Sequence, residues 1–89
     1  MKQDNLSKMN LAEAAPNKIV RVVSIDAGLG LRSRLIGMGL APDAIVKILD
    51  NRRGHVIIAI GSGFGRVIAL SRGIASKILV EEVSQQSMQ

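Results

Sequence analysis

Ala44-Ile45-Val46-Lys47-Ile48-Leu49-Asp50-Asn51-Arg52-Arg53-Gly54-His55-Val56-Ile57-Ile58-Ala59-Ile60 is the stretch whose reading decides the fold. In its first half Val46 and Ile48 fall in phase, with Lys47 opposite; in its second half Val56, Ile58 and Ile60 do the same. A period of two is the mark of a strand, because successive side chains point to opposite faces. β-branched residues dominate both halves, and they fit a pleated, half-buried surface. Between them, Asp50 to Gly54 has the chemistry that closes a hairpin. The segment therefore reads as two antiparallel strands, Ala44 to Leu49 and His55 to Ile60.

Outward from the hairpin the rhythm continues. Ile19 to Ile25 reads as the first strand: Val20 and Val22 share a face, while Arg21 and Ser24 interrupt the pattern, so this strand is amphipathic or bulged. Gly61 to Gly65 is a turn leading into Arg66 to Leu70, and Lys77 to Val83 is the last strand, with Ile78 and Val80 in phase. Pro16-Asn17 delivers the chain into the first strand and Pro42-Asp43 into the second. One segment breaks the period: Leu31, Leu35 and Met38 recur at helical spacing, which predicts a helix over Leu29 to Gly39. Asp26 is placed to cap its start electrostatically and Gly39 to stop it in the left-handed conformation. Single helical turns are expected at Leu11 to Ala15 and at Ser71 to Ser76, the latter with Ser71 as N-cap.

Five strands, one short helix after the first and a helical turn before the last describe a small, mainly β, partly open barrel, a meander curled on itself. Residues 11–83 are read as one domain, residues 1–10 as a disordered arm and 84–89 as a flexible tail. No internal repeat and no linker calls for a second domain.

Composition narrows the function classes. The 89 residues are 47% hydrophobic, yet they contain one Phe and no Trp or Tyr, so Ile, Val and Leu must carry the core. A chain this short buries about 60% of its extended surface, which implies modest stability. The absence of Cys excludes a disulfide framework and a thiolate zinc cluster, and suits a reducing compartment. Met1 to Pro16 lacks the apolar core of a secretory leader, and no aliphatic run approaches the ~20 residues that span a bilayer, so neither secretion nor membrane insertion is expected. A net charge of +5 favours an acidic partner.

The residues do not assemble a reactive centre. His55 is the only imidazole and follows a glycine turn, the place of a surface residue. The seven carboxylates are dispersed, and Glu81 and Glu82, being adjacent, face opposite sides of a strand. One His and no Cys cannot make a dedicated transition-metal site, and no cofactor is expected. Neither Gly28-Leu29-Gly30 nor Gly61 to Gly65 completes a phosphate-loop motif; turn geometry explains both. Catalytic and metal-binding residues are thus absent from the expectation.

Binding is the remaining class. Arg32 and Arg34 lie on the helix, Arg52 and Arg53 at the hairpin tip, and Arg66 and Arg72 beside the fourth strand, where they are able to grip phosphates. Single-strand binders interleave such charges with aromatic platforms, however, and Phe64 is the only aromatic, which argues against nucleic acid. The leftover aliphatics are more informative. If Leu31, Leu35 and Met38 face inward, Ile36 turns outward beside Arg32; if Val46, Ile48, Val56, Ile58 and Ile60 are core, then Ile45, Leu49, Ile57 and Leu79 face out. Their number on neighbouring strands marks a partner or oligomer surface. The candidate contact set is Arg32, Ile36, Ile45, Arg52, Arg53 and Ile57. The alternatives are a basic barrel on nucleic acid and a homo-oligomer.

The run Arg34-Leu35-Ile36-Gly37-Met38-Gly39-Leu40-Ala41-Pro42 resembles the R-L-x-x-M-G-L-x-P-G signature of the FeoA family, small proteins that assist bacterial ferrous iron transport. Val20 to Ile25 is similar to that family's first strand, Gly28 and Gly30 to its approach to the helix, and Arg66 to Val80 to its closing strand–turn–strand. The likeness runs from Leu11 to Glu82. Asp43 departs from the family pattern where Gly is usual; since Asp tolerates the left-handed region, the turn is expected to survive. The resemblance implies an SH3-like β-barrel acting in the cytoplasm, with Arg34, Leu35, Met38, Gly39, Leu40 and Pro42 as a structural signature. Its implied partner is the cytoplasmic domain of FeoB, a membrane ferrous-iron permease with a G-protein domain, which it regulates or scaffolds. A related domain closes some iron-dependent repressors by contacting other protein segments.

Overall fold

The computed structural model describes residues 8–83 and contains six strands in one antiparallel sheet. In chain order they are β1 (Lys8–Asn10), β2 (Ile19–Ile25), β3 (Ile45–Asn51), β4 (His55–Ile60), β5 (Arg66–Ser71) and β6 (Ile78–Glu82). Helix α1 (Leu29–Gly37) lies between β2 and β3, and the single turn α2 (Arg72–Ala75) between β5 and β6. The strand order is β1-β6-β2-β3-β4-β5, so β1 and β5 are the margins of an open, curled sheet.

The alternation read from the sequence sets the core. Val20, Val22, Val46, Ile48, Val56, Ile58, Ile78 and Val80 are all fully buried on the inner face. Leu11, Leu35, Leu40 and Ala75 pack onto them from the connecting segments. No polar or charged side chain among the described residues is fully buried, so the core has no desolvated charge to satisfy. The β3–β4 hairpin turns on Arg53-Gly54: Arg52 N–H donates to the His55 carbonyl (3.0 Å) and His55 N–H to the Arg52 carbonyl (3.3 Å).

Two bulges curl the sheet. Val22 pairs with Val80 and Ser24 with Leu79, which leaves Val23 unmatched; Ile48 pairs with Ile58 and Asp50 with Ile57, which leaves Leu49 unmatched. An extra residue on one strand bends it and increases its twist. The interruption read in the first strand is the first of these bulges.

The structure corrects the expectation in three places. There are six strands rather than five, because Lys8, Met9 and Asn10 pair with Glu81, Val80 and Leu79. This strand comes from the end of the segment read as a disordered arm; residues 1–7 of that arm and the tail, 84–89, lie outside the described residues. The N-cap of α1 is Gly28, without a side-chain cap. Asp26 stands two residues too early to serve, and its backbone N–H donates to the Lys77 carbonyl (2.7 Å). Finally, the last regular helical residue of α1 is Gly37, two short of the expected range, while Gly39 takes the left-handed stop expected of it. At α2 the expectation holds, since Ser71 Oγ accepts from Ile74 N–H (3.2 Å).

Candidate partner-binding surface

The signature segment is a helix stop. Leu40 N–H donates to the Leu35 carbonyl (2.9 Å) and Gly39 N–H to the Ile36 carbonyl (3.0 Å). This is the paired bonding of a Schellman cap, with Gly39 at φ +105° in the position that needs a left-handed residue. The apolar contact that accompanies such a cap is made here by Leu35 and Leu40, both buried in the core. A Cβ on Gly39 would sit 3.1 Å from Ile60 Cδ1, so the glycine is also needed for close approach. Met38 is half-buried against the core, and the Arg34 side chain is exposed. Pro42 then starts a turn closed by Ala44 N–H on the Ala41 carbonyl (3.0 Å), with Asp43 at φ +78°. The signature therefore aims α1 and seats two leucines.

With α1 fixed this way, Arg32 and Ile36 lie one turn apart on its outer side. Both are exposed, Ile36 to 40%. Leu29, at the first position of α1, is 78% exposed and extends the apolar surface; sequence reasoning missed it because it precedes the first turn of the helical repeat.

Ile45 and Leu49 are exposed on the outer face of β3, and Ile57 is half-buried on β4. Across the ladder Ile57 stands opposite Ala69 of β5 on one side and Asp50 of β3 on the other. Ile45 is at the other end of β3, beside Arg21 of β2. The sheet thus places Ile45 and Ile57 on one face but at opposite ends, joined through Leu49 and the Lys47 row. Ile36 and Arg32 form a second patch on a different element. Val67, at 60%, is the most exposed aliphatic on any strand; it was legible in principle as the residue out of phase with the buried Leu70.

The cations divide into committed and uncommitted groups. Arg21 is bound by both Asp43 and Glu81, and the Glu81 hydrogen bond is the main reason its guanidinium is held above the ordinary arginine range. Arg52 Nε donates to Asp50 Oδ2 (2.8 Å), which places it beside Ile57. Arg72 is structural: Nη1 donates to Asn51 Oδ1 (2.6 Å) and Nη2 to the Ala12 carbonyl (3.1 Å). Asn51 Nδ2 completes the network on the Ala12 and Ala14 carbonyls (3.0 and 2.7 Å). Arg32, Arg53, Arg66 and Lys47 make no ion pair among the described residues. Likewise among the described residues, no three His, Asp or Glu side chains are grouped so as to hold a metal, and His55 is exposed.

The curled six-stranded sheet defines a small, mainly β domain of SH3-like type. The FeoA domain family matches residues 9–82. A protein of Methanocaldococcus jannaschii, provisionally named Fe(2+) transport protein A, is 43% identical over 72 residues, 81% of this chain and 84% of that one. A crystal structure of an iron uptake regulatory protein (FeoA) superposes with a TM-score of 0.78 at 30% identity, covering 85% of this chain and all but 1% of the other. A manganese-dependent transcriptional repressor superposes at TM-score 0.77 over 85% of this chain and 37% of its own; at 23% identity this shows the fold alone. The chain belongs to the FeoA family. FeoA proteins serve ferrous iron transport as accessory proteins.

Proposed function

We propose that this chain is a non-enzymatic accessory of ferrous iron uptake that works in the cytoplasm by docking on the G-protein-bearing cytoplasmic domain of an FeoB-type permease. The observation that carries this reading is the pairing of exposed aliphatics with uncommitted cations on a fold whose described residues group no reactive side chains. No helix among the described residues is long and apolar enough to cross a membrane, so contact with a permease is read as contact with its soluble part. Ile36, Ile45 and Ile57 supply apolar area, which drives association; Arg32, Arg52 and Arg53 orient the encounter from the rim. The permease's cytoplasmic domain, immobilised and challenged with wild type, Ile36→Glu and Arg32→Glu, tests the reading. Capture falls for both variants, and more at low salt than at high salt for Arg32→Glu, where screening already weakens the wild-type contact. Equal capture of all three removes these residues from the proposal.

A further inference from the structure

The margin formed by β5 carries information that the docking patch does not use. Among the described residues β5 pairs with β4 alone, in an unshifted register from Ile60↔Arg66 to His55↔Ser71. At the hairpin Arg52 and His55 exchange both backbone hydrogen bonds, so His55 addresses β3. Direction alternates along an antiparallel strand, so Val56, Ile58 and Ile60 address β5. Their partners Leu70, Ile68 and Arg66 are thereby satisfied, and the N–H and C=O groups of Val67 and Ala69 point away from the sheet. No turn or loop among the described residues donates to or accepts from either. Both side chains are exposed.

Edge strands are ordinarily guarded by proline, lysine, an inward charge or a bulge. Arg66-Val67-Ile68-Ala69-Leu70-Ser71 has none of these between its ends. The charge around it is one-sided as well. Residues 51–80 hold five Lys and Arg and no Asp or Glu, which leaves seven cations against seven carboxylates in the rest of the chain. Of these five, Arg52 is paired with Asp50 and Arg72 is held by Asn51 and the Ala12 carbonyl, so the local excess rests on Arg53, Arg66 and Lys77. Arg53 and Arg66 have no carboxylate partner among the described residues.

We infer that the free edge of β5 receives an extended acidic segment of another protein, which adds to the sheet as a further strand. Backbone bonds to Val67 and Ala69 supply affinity without regard to sequence, and the surrounding cations select for Asp and Glu in the segment. A second copy of this chain meets the edge less well, because it brings two strongly basic margins together. The inference rests on the reading of this protein as a partner-binding module, and it names a mode of binding that the Ile36 and Arg32 variants do not probe.

The test uses the full chain, labelled with nitrogen-15, and a capped heptapeptide alternating Glu with Val. Amide shifts centred on Val67, Ile68 and Ala69, with slowed exchange at Val67 and Ala69, are expected. A peptide N-methylated along one edge should bind at least about fivefold more weakly, the effect of losing one net hydrogen bond, and the counterpart with Lys for Glu should also bind more weakly, through like-charge repulsion. Ala69→Pro deletes one outward N–H while leaving the ladder to β4 intact, and should weaken the Glu-Val peptide by a similar factor. If that variant loses its dispersed spectrum, Arg66→Glu takes its place, with an affinity loss that shrinks at high salt. Equal binding of the Lys peptide, shifts confined to α1, or self-association through β5 in sedimentation overturns the inference. Deletion of residues 1–7 that alone reproduces the β5 shifts also overturns it, by showing that the chain occupies its own edge. Loss of peptide binding with intact capture by the permease domain defeats the edge alone; loss of capture with peptide binding intact defeats the docking proposal alone.

Discussion

The two sides of the sheet differ in how their charges and edges are resolved. On the side built from β2, β6 and the start of β3, three carboxylates meet cations: Lys18 pairs with Glu82 (2.9 Å), and Arg21 bridges Asp43 and Glu81. The margin there is β1, an edge strand of only three residues. β4 and β5 themselves contain no carboxylate, Asp50 of the neighbouring strand being held by Arg52, and no described residue pairs with the outer edge of β5. Both sides share one apolar core, so the difference does not concern folding. It separates a side whose arginine is bridged by two carboxylates from one where Arg53 and Arg66 make no ion pair among the described residues.

Substitutions rank by how deeply they cut into this division. The largest effect is expected from Leu40→Ala, at the junction both sides share: removing a fully buried leucine costs about 2–5 kcal/mol, read as a lower urea midpoint or outright unfolding. Gly39→Ala follows at about 1–3 kcal/mol, because alanine must adopt φ +105° and press on Ile60 Cδ1. Asn51→Ala, measured the same way, takes the side-chain donor from the Ala14 carbonyl and the acceptor from Arg72 Nη1, and costs about 1–2 kcal/mol. On the β2–β6 side Lys18→Ala removes an exposed pair worth about 0–1 kcal/mol, and the loss should disappear in high salt. On the β4–β5 side Val67→Thr should leave stability within about 0.5 kcal/mol, since nothing described packs over that side chain. A large loss for Val67→Thr, or none for Leu40→Ala, would break the division.

Acidity adds little to this ranking. Arg21 is raised from its ordinary value by ionised carboxylates, so its contribution is present across the neutral range and is lost as pH rises through the arginine range. Stability measured between pH 6 and 9 should therefore not vary through Arg21.

How much of this was legible in the sequence depends on the range of the interaction. The β3–β4 hairpin, the inner faces of β2 and β6, and the stop of α1 were readable because each follows from a period or a glycine within a few residues. β1 was not, since Lys8-Met9-Asn10 has no apolar alternation and becomes a strand only by pairing with β6. Arg72 was read as a phosphate-gripping cation, yet it is spent on Asn51 and on a carbonyl 60 residues earlier in the chain. Backbone acceptors leave no trace in side-chain pattern. For the candidate surface, Ile36, Ile45 and Ile57 were found by elimination from the core; Ile36 and Ile45 are exposed, while Ile57 is half-buried. What it could not supply was their grouping, because the sheet sets Ile45 and Ile57 at opposite ends of one face and α1 carries Ile36 elsewhere.

The pairing of β1 with β6 has a consequence for how the protein is made. Lys8 lies opposite Glu81, so the first described strand finds its partner only when the last has been synthesised. Until then Val80 and Ile78 are missing from the core and β2 lacks one neighbour. Closing a loop of this length carries its entropic cost before any contact rewards it, which slows folding. The chain therefore completes its fold only after β6 has left the ribosome, as a single cooperative event rather than piece by piece from the amino terminus.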